Sequence, residues 1–186
     1  MGAGDRDRWN DKWAEAGRGT SHGSSLVDLV TPWLPETGAL LDVAGGGSTD
    51  SLAFARLGLK VTVTDVSDVG LIQARQRALA EDLDITTVEA DLENQPLPDG
   101  PFDVITVANY LQRDLFTAMI ERLAPSGVLA VVIATDTNLE RNEHPRREFL
   151  LATDELATLV TGLTVLHHSE DWRENGRHEA HLVARR

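Results

Sequence analysis

The sequence predicts an α/β fold, in which a doubly wound, mostly parallel sheet of seven strands is covered by helices on both faces. Apolar, β-branched runs alternate with helical patterns along most of the chain. The first run ends in three successive glycines, and an Asn-Gly pair near the C-terminus marks a hairpin. The 186 residues, 41% of them hydrophobic, suit a single domain over 1–186. We expect an N-terminal helical cap segment (1–35) and a core (38–186).

The elements follow in order along the chain. An amphipathic segment predicts a helix that begins after Ser24/Ser25 and ends near Pro35. Strand-like runs begin near residues 39, 59, 85, 102, 128, 163 and 177. Helical patterns lie between them, at Thr49 to Leu57 with Gly58 as the C-cap, Asp68 to Asp82 after Ser67, Arg113 to Leu123, and Thr153 to Thr161 before Gly162. Right-handed crossovers then give a parallel sheet whose ligands gather at the carboxyl ends of the strands.

The loop after the first strand is the strongest functional signal. Gly45, Gly46 and Gly47 lack a Cβ, so the backbone can approach a ligand closely while the next helix presents its N-terminus. A dinucleotide fingerprint starting at Gly45 needs a third glycine where Asp50 stands, and a phosphate-binding Walker loop needs a Gly-Lys-Ser/Thr that does not follow. An ordinary strand-to-helix turn remains the alternative.

Four further motifs follow this loop in order. The second strand ends in Asp65, about twenty residues past the glycines, where a carboxylate would bind a ribose hydroxyl pair. The third run ends at Asp91-Leu92, the fourth reads from Phe102 to Tyr110, and Leu123 to Leu129 predicts a turn into the fifth strand. Five motifs in a fixed order are much harder to obtain by chance than one.

Together these motifs resemble those of the class I S-adenosylmethionine-dependent methyltransferases, which have a Rossmann-like fold. On the pattern D/E-x-G-x-G-x-G, Asp42 is the leading acid, Ala44 and Ser48 replace two glycines, and Gly46 is the central one. The resemblance implies S-adenosylmethionine as cofactor and S-adenosylhomocysteine as product. It also implies that Asp91 accepts from the adenine amine, the alternative being that Asp91 only caps the following turn. The implied cofactor contacts are Trp9, Trp13, Asp42, Ala44, Gly45, Gly46, Asp65, Val66, Asp91, Leu92, Val107, Ala108 and Asn109.

The C-terminal region predicts a hairpin around Asn175-Gly176 that returns an antiparallel seventh strand beside the sixth. A two-residue loop pairs Arg173 with His178 on one face and Glu174 with Arg177 on the other. If the sixth strand is parallel to the first five, this turn lies at the ligand edge of the sheet.

The charge distribution bears on the substrate. The net charge of -13 argues against nucleic acid, whereas a basic cluster of Arg141, His144, Arg146 and Arg147 suggests attraction of a small anion to the same edge. Pairing of these arginines with nearby glutamates is the plainer interpretation. The histidines show no metal-binding spacing, so we expect no metal. With no apolar run long enough for a bilayer and no signal-peptide core, we expect a cytoplasmic protein without a membrane partner.

Over nearly its full length the chain looks most like the small tellurite-resistance-type and thiopurine-type methyltransferases. The N-terminal Trp9 and Trp13, at i and i+4, resemble a segment that in such proteins folds over cofactor and substrate; packing of a terminal helix is the alternative. The resemblance implies in-line methyl transfer to a small molecule, either a soft or anionic nucleophile such as a thiol or a metalloid oxyanion, or a small metabolite. The candidate catalytic residues are Tyr110, His144, Arg147, Arg173 and His178. A non-catalytic cofactor-binding module and a nicotinamide oxidoreductase remain alternatives, and the oligomeric state stays open.

Overall fold

The strands form one seven-stranded sheet in the order β3-β2-β1-β4-β5-β7-β6. The computed structural model describes residues 3–16, 25–47 and 49–186. The strands are β1 (Ala39–Val43), β2 (Lys60–Asp65), β3 (Ile85–Glu89), β4 (Phe102–Ala108), β5 (Leu123–Ala134), β6 (Thr164–Trp172) and β7 (His178–Arg185). The first five are parallel, and β7 is antiparallel to both β5 and β6, so β6 runs parallel to β5. The fold class predicted from the sequence is confirmed.

Six α-helices are described; the first lies in the N-terminal cap segment, and the other five lie where the helical patterns predict. They are α1 (Ala3–Ala16), α2 (Leu26–Val30), α3 (Asp50–Arg56), α4 (Asp68–Ala80), α5 (Leu115–Arg122) and α6 (Glu155–Leu159). The side chain of Ser67 caps α4 by accepting a hydrogen bond from the Gly70 N–H at 3.0 Å. Gly58 and Gly162 both have a φ of +93°, the left-handed conformation that ends a helix at little cost for glycine. Among these residues no helix is both long and apolar enough to cross a membrane.

The core consists of two layers, one on each face of the sheet. One face of β1, β4 and β5 packs under α5 and α6, where Met119 and Leu156 are almost fully buried. The other face packs under α2, α3 and α4, with Phe54 and Leu26 at its centre. Because both faces are covered, the central strands read as nearly continuous apolar runs.

The predicted hairpin register is wrong by one residue. Trp172 pairs with His178 and Asp171 with Glu179, and the Arg173 N–H donates to the Arg177 carbonyl at 2.8 Å. The loop therefore has three residues rather than two, and Gly176, the third of them, has a φ of +79°. The shift places Arg173 opposite Arg177, and His178 opposite Trp172 on the other face.

Candidate active site at the sheet switch point

The sheet has a topological switch point between β1 and β4. From β1 the chain proceeds outward to β2 and β3, then returns to β4 on the other side of β1. In open α/β sheets the ligand crevice lies outside the carboxyl ends of the two strands at this point. Here those ends lead into the glycine loop (44–47) and to Asn109, and Asp65 ends the neighbouring β2. Five predicted cofactor contacts, namely Ala44, Gly45, Gly46, Asp65 and Asn109, therefore border the same crevice.

The glycine loop has the backbone that its sequence suggests. Ala44 and Gly46 have φ values of +53° and +52°, and the Gly45 N–H donates to the Thr64 carbonyl at 3.2 Å. A Cβ at Gly45 would overlap the Asp42 carboxylate and Val63. The glycine at this position is therefore required by the protein's own packing beneath the loop. Ser48, the last residue of the motif, lies outside the described residues.

Asp42 lies beneath the loop, where its carboxylate is fully used by the protein. It accepts hydrogen bonds from the Ser51 hydroxyl at 2.6 Å and the Thr106 hydroxyl at 3.0 Å, which connects β1 to α3 and β4. Burial raises the pKa of Asp42 to about 7, opposed by these hydrogen bonds and assisted by the nearby charges of Asp50 and Asp65. This geometry indicates a role in positioning the loop; direct contact with the cofactor stays a prediction.

Asp65 ends β2 beside the crevice. Its carboxylate is 7% exposed and accepts a hydrogen bond from the Ser67 N–H at 2.8 Å. Burial raises its pKa to about 6, although hydrogen bonds from the backbone N–H groups of Ser67, Val66 and Gly46 act in the opposite direction. The hydrogen bond from Gly46 places this acid directly against the glycine loop, as a ribose-binding carboxylate requires. Val66, the predicted adenine neighbour, is half-buried.

The indole ring of Trp13 lies in a concave surface formed by Gly46, Gly47 and Gly70, here called the glycine cradle. A Cβ at Gly46 would stand 2.5 Å from Cζ2 of Trp13, and one at Gly70 would stand 2.8 Å from its Cδ1. The Trp13 Nε1 and the Gln73 Oε1 are buried there without a hydrogen-bond partner among the described residues. A surface that admits no Cβ, beside a buried Gln73 Oε1 without a partner in the described part of the chain, fits the predicted cofactor. Trp9, by contrast, is half-exposed, with the Lys12 ammonium 4.3 Å from its ring centroid.

Asp91, in the third motif, caps the turn that follows it. Its carboxylate accepts from the Glu93 N–H at 3.2 Å and from the Asn94 amide at 2.8 Å. This is the geometry of the alternative stated for Asp91, and contact with adenine stays a prediction. Leu92, the next residue, is buried against the core.

The carboxyl end of β4 contributes residues of different exposure. Val107 is buried, Ala108 is half-buried, and Asn109 is exposed with a φ of +58°. The Tyr110 hydroxyl donates to Gln112 Oε1 at 2.5 Å. Burial, followed by the charges of Asp91 and Asp65, raises the pKa of Tyr110, so this phenol stays protonated. Asn109 and Tyr110 therefore lie at the crevice.

The predicted basic residues separate into different environments. Arg147 is exposed and pairs with Asp136 at 3.2 Å, Arg146 pairs with Glu148 at 3.1 Å, and His144 is exposed. Arg146 thus pairs with a nearby glutamate, as in the plainer interpretation, whereas Arg147 pairs with an aspartate that the sequence did not indicate. Arg141 stacks on the Trp172 ring, 3.9 Å from its centroid.

The hairpin candidates lie on opposite faces. His178 interacts through Nδ1 with the Thr135 hydroxyl at 2.7 Å, and its ring meets Trp172 edge-on at 5.2 Å between centroids. Arg173 donates to the Ser169 hydroxyl at 2.7 Å, while its Nε is buried without a partner in the described part of the chain. The described contacts of His178 are with the protein, and contact of the buried Arg173 donor with a substrate stays a prediction.

A polar chain on β7 was not predicted from the sequence. Arg177 donates to the Asn109 side chain at 2.6 Å and pairs with Glu179 at 3.3 Å. Glu179 contacts His181 at 3.1 Å. His181 in turn contacts the Ser25 hydroxyl at 3.3 Å. Burial raises the pKa of Glu179, but its contacts with His181 and Arg177 outweigh burial and leave that pKa lowered. The available signal was the placement of Glu179 and His181 two residues apart in an otherwise apolar strand.

Comparison with known proteins identifies a methyltransferase domain in the part of the chain that carries the glycine loop. Residues 40–127, which contain the glycine loop, Asp65, Asp91 and Asn109, match the family model of a methyltransferase domain. A ubiquinone/menaquinone biosynthesis C-methyltransferase of Azotobacter vinelandii is 36% identical over 103 residues, covering 50% of this chain and 41% of that protein. The chain therefore spans less than half of the length of that relative.

Solved structures agree in fold over almost the whole chain. TehB from Haemophilus influenzae superposes with a TM-score of 0.74 at 22% identity, covering 95% of this chain and 66% of that one. A TehB-like S-adenosylmethionine-dependent methyltransferase from Corynebacterium glutamicum gives 0.70 at 14% identity and covers 98% of both chains. At these identities the likeness concerns the fold.

Proposed function

Because the chain carries a class I, S-adenosylmethionine-dependent methyltransferase domain, we propose that it transfers a methyl group from this cofactor to a small anionic nucleophile. The arrangement that carries the proposal is the glycine loop, Asp65 and Asn109 meeting at one crevice. The cofactor supplies an electrophilic methyl group on a sulfonium. The protein's part is to orient the two reactants and to exclude water.

The anionic character of the acceptor is supported by Arg173. Its Nε is buried without a partner among the described residues, and a buried unpaired donor costs roughly 1–3 kcal/mol. A bound oxyanion or thiolate would relieve this cost. Such a nucleophile is already deprotonated, so it needs no general base, whereas a phenol or amine would need one.

A quinone-like ring is the second candidate acceptor, because the C-methyltransferase relative is named for ubiquinone and menaquinone biosynthesis. The match to the family model ends at residue 127, before the hairpin that carries Arg173. It therefore supports the cofactor more than the acceptor. A screen of thiols, metalloid oxyanions, phenols and quinols, scored by S-adenosylhomocysteine release, tests the alternatives. Binding of the cofactor without turnover of any class would favour a non-catalytic module.

We expect Asp65→Ala to weaken S-adenosylhomocysteine binding by roughly 1.5–3 kcal/mol, the range for hydrogen bonds to a charged group. The lost interaction is the one with the ribose hydroxyls. Isothermal titration calorimetry measures the change, and Asp99→Ala, at a side chain that is 98% exposed, is the control. Affinity equal to that of the wild type would remove Asp65 from the cofactor site.

We expect Arg173→Ala to lower kcat/KM for an anionic acceptor while the affinity for the cofactor stays unchanged. Added salt should weaken the wild type more than the variant, because screening removes the same attraction. Arg147→Ala should have a smaller effect, since Arg147 is exposed and paired with Asp136. Arg56→Ala, in an exposed ion pair with Glu81, controls for net charge. A rate that is independent of salt in the wild type would favour a neutral acceptor.

A further inference from the structure

We propose that Trp13 sets the cofactor affinity of this protein, because its indole ring occupies the glycine cradle and must leave before the cofactor can enter. The inference rests on the proposed function, since it takes the cradle as the cofactor site. It goes further, because it makes Trp13 a competitor of the cofactor rather than only a residue that covers it.

The overlap between Trp13 and the cradle is the first observation. The ring edge that carries Cζ2, Cε2 and Nε1 lies where a Cβ at Gly46 would stand, at 2.5–2.7 Å. Cε3 stands 3.0 Å from a Cβ at Gly47. These are the backbone surfaces that the absence of side chains leaves free for a ligand. One surface cannot contact the indole and a cofactor at the same time.

The placement of α1 is the second observation. The Asn10 amide donates to Asp68 at 2.7 Å and accepts from the Ser67 hydroxyl at 2.6 Å, and Gln73 donates to the Trp13 carbonyl at 2.8 Å. These contacts hold α1 on the N-terminal end of α4, next to the end of β2. The ring is therefore held in the cradle by a short set of polar contacts that are separate from the core.

The third observation is that two polar atoms lose their hydrogen bonds when the Trp13 ring lies in the glycine cradle. Trp13 Nε1 and Gln73 Oε1 are both buried and lack partners among the described residues. Each loses hydrogen bonds to water that it regains when the ring leaves. Burial of the indole favours docking and the two orphaned atoms oppose it, so the balance between docked and released ring is close. A cofactor with greater affinity for the cradle can then shift it.

The test is the affinity for S-adenosylhomocysteine, measured by calorimetry. A ring docked in nine molecules of ten reduces the apparent affinity roughly tenfold, so Trp13→Ala should bind about tenfold more tightly. Trp13→Phe keeps a ring and removes the orphaned N–H, so it should bind more weakly than the wild type. Asn10→Ala, which loosens α1, should tighten binding. Glu15→Ala, at an exposed position of the same helix, is the matched control.

Hydrogen exchange of residues 5–16 gives a second readout that is independent of turnover. If the ring leaves the cradle, adding S-adenosylhomocysteine should increase exchange in this segment of the wild type. Weaker or unchanged binding by Trp13→Ala, or protection of the segment by the ligand, would overturn the inference and make Trp13 a wall that closes over the cofactor. If neither the wild type nor Trp13→Ala binds the ligand while both are folded by circular dichroism, the proposed function itself fails, and the inference with it.

Discussion

Replacing Gly46 with valine is expected to lower the affinity for S-adenosylhomocysteine at least a hundredfold, roughly 2.7 kcal/mol or more. The valine side chain would occupy the space in which the glycine cradle meets its ligand, since a Cβ there already stands 2.5 Å from the ring that now fills it. Calorimetry at matched protein concentrations measures the loss. Gly46→Ala should show the same direction with a smaller effect.

The control variant must also place a Cβ on a residue with a positive φ, because that change alone reduces stability. Gly46 has a φ of +52°, a conformation that disfavours any residue with a Cβ. Gly162 also has a positive φ, +93°, and a Cβ there would meet no atom within 4 Å, so Gly162→Val places a side chain on a left-handed backbone without contacting the cradle. We expect both variants to lose stability and only the Gly46 variant to lose binding. Equal loss of affinity in both would attribute the effect to folding.

The second large effect concerns the dependence of stability on pH. The pKa of Asp42 is about 7 in the folded protein and near 4 in an unfolded chain. Between these values the folded state binds the proton more strongly, so its stability falls as pH rises from 4 to 7 and is constant above. At about 1.4 kcal/mol per pH unit over about three units, ionised Asp42 costs on the order of 4 kcal/mol above pH 7.

Asp42→Asn should therefore reduce the loss of stability that the wild type shows as pH rises from 4 to 7. The measurement is the free energy of unfolding by urea at pH 5 and pH 8, compared between wild type and variant. Asp65, whose pKa is raised to about 6, contributes in the same direction, and Asp65→Asn should show a smaller change. Asp99→Asn, at an almost fully exposed side chain, is the control. If the free energy of unfolding changes by the same amount between pH 5 and pH 8 in the wild type and in Asp42→Asn, folding does not raise the pKa of Asp42.

Much of the fold was predictable because local signals and global topology agree. The β-branched runs, the cap at Ser67 and the helix-ending glycines each define an element without reference to the rest of the chain. The alternation of strands and helices, together with the rule of right-handed crossovers, predicted the parallel, doubly wound sheet. The hairpin register was not predictable in the same way. Whether Gly176 is the second residue of a two-residue loop or the third of a longer one depends on backbone torsions that the Asn-Gly pair alone does not determine.

The sequence predicted that the loop glycines 45–47 and Asp65 lie at one edge of the sheet, because glycine permits a close backbone approach and a carboxylate at a strand end provides a hydrogen-bond acceptor. Their contact with the cofactor stays a prediction, and the part of Gly70 in the cradle was not predicted. The contacts of Arg177 with Asn109 and of Arg147 with Asp136 arise from tertiary packing. So does the insertion of Trp13 between loop and helix, since helical periodicity shows only which face carries the ring.

The backbone at Ala44 and Ser126 is left-handed, although neither residue is a glycine. Ala44 stands where the methyltransferase motif carries glycine, and Ser126 precedes a glycine in the segment that leads into the apolar part of β5. Both have a positive φ, +53° and +66°. Each holds a conformation that costs roughly 1–2 kcal/mol for a residue with a Cβ. The departures therefore reduce stability while the path of the chain is maintained. A comparison of residue types penalises both positions, whereas a comparison of the φ angles at these two residues does not.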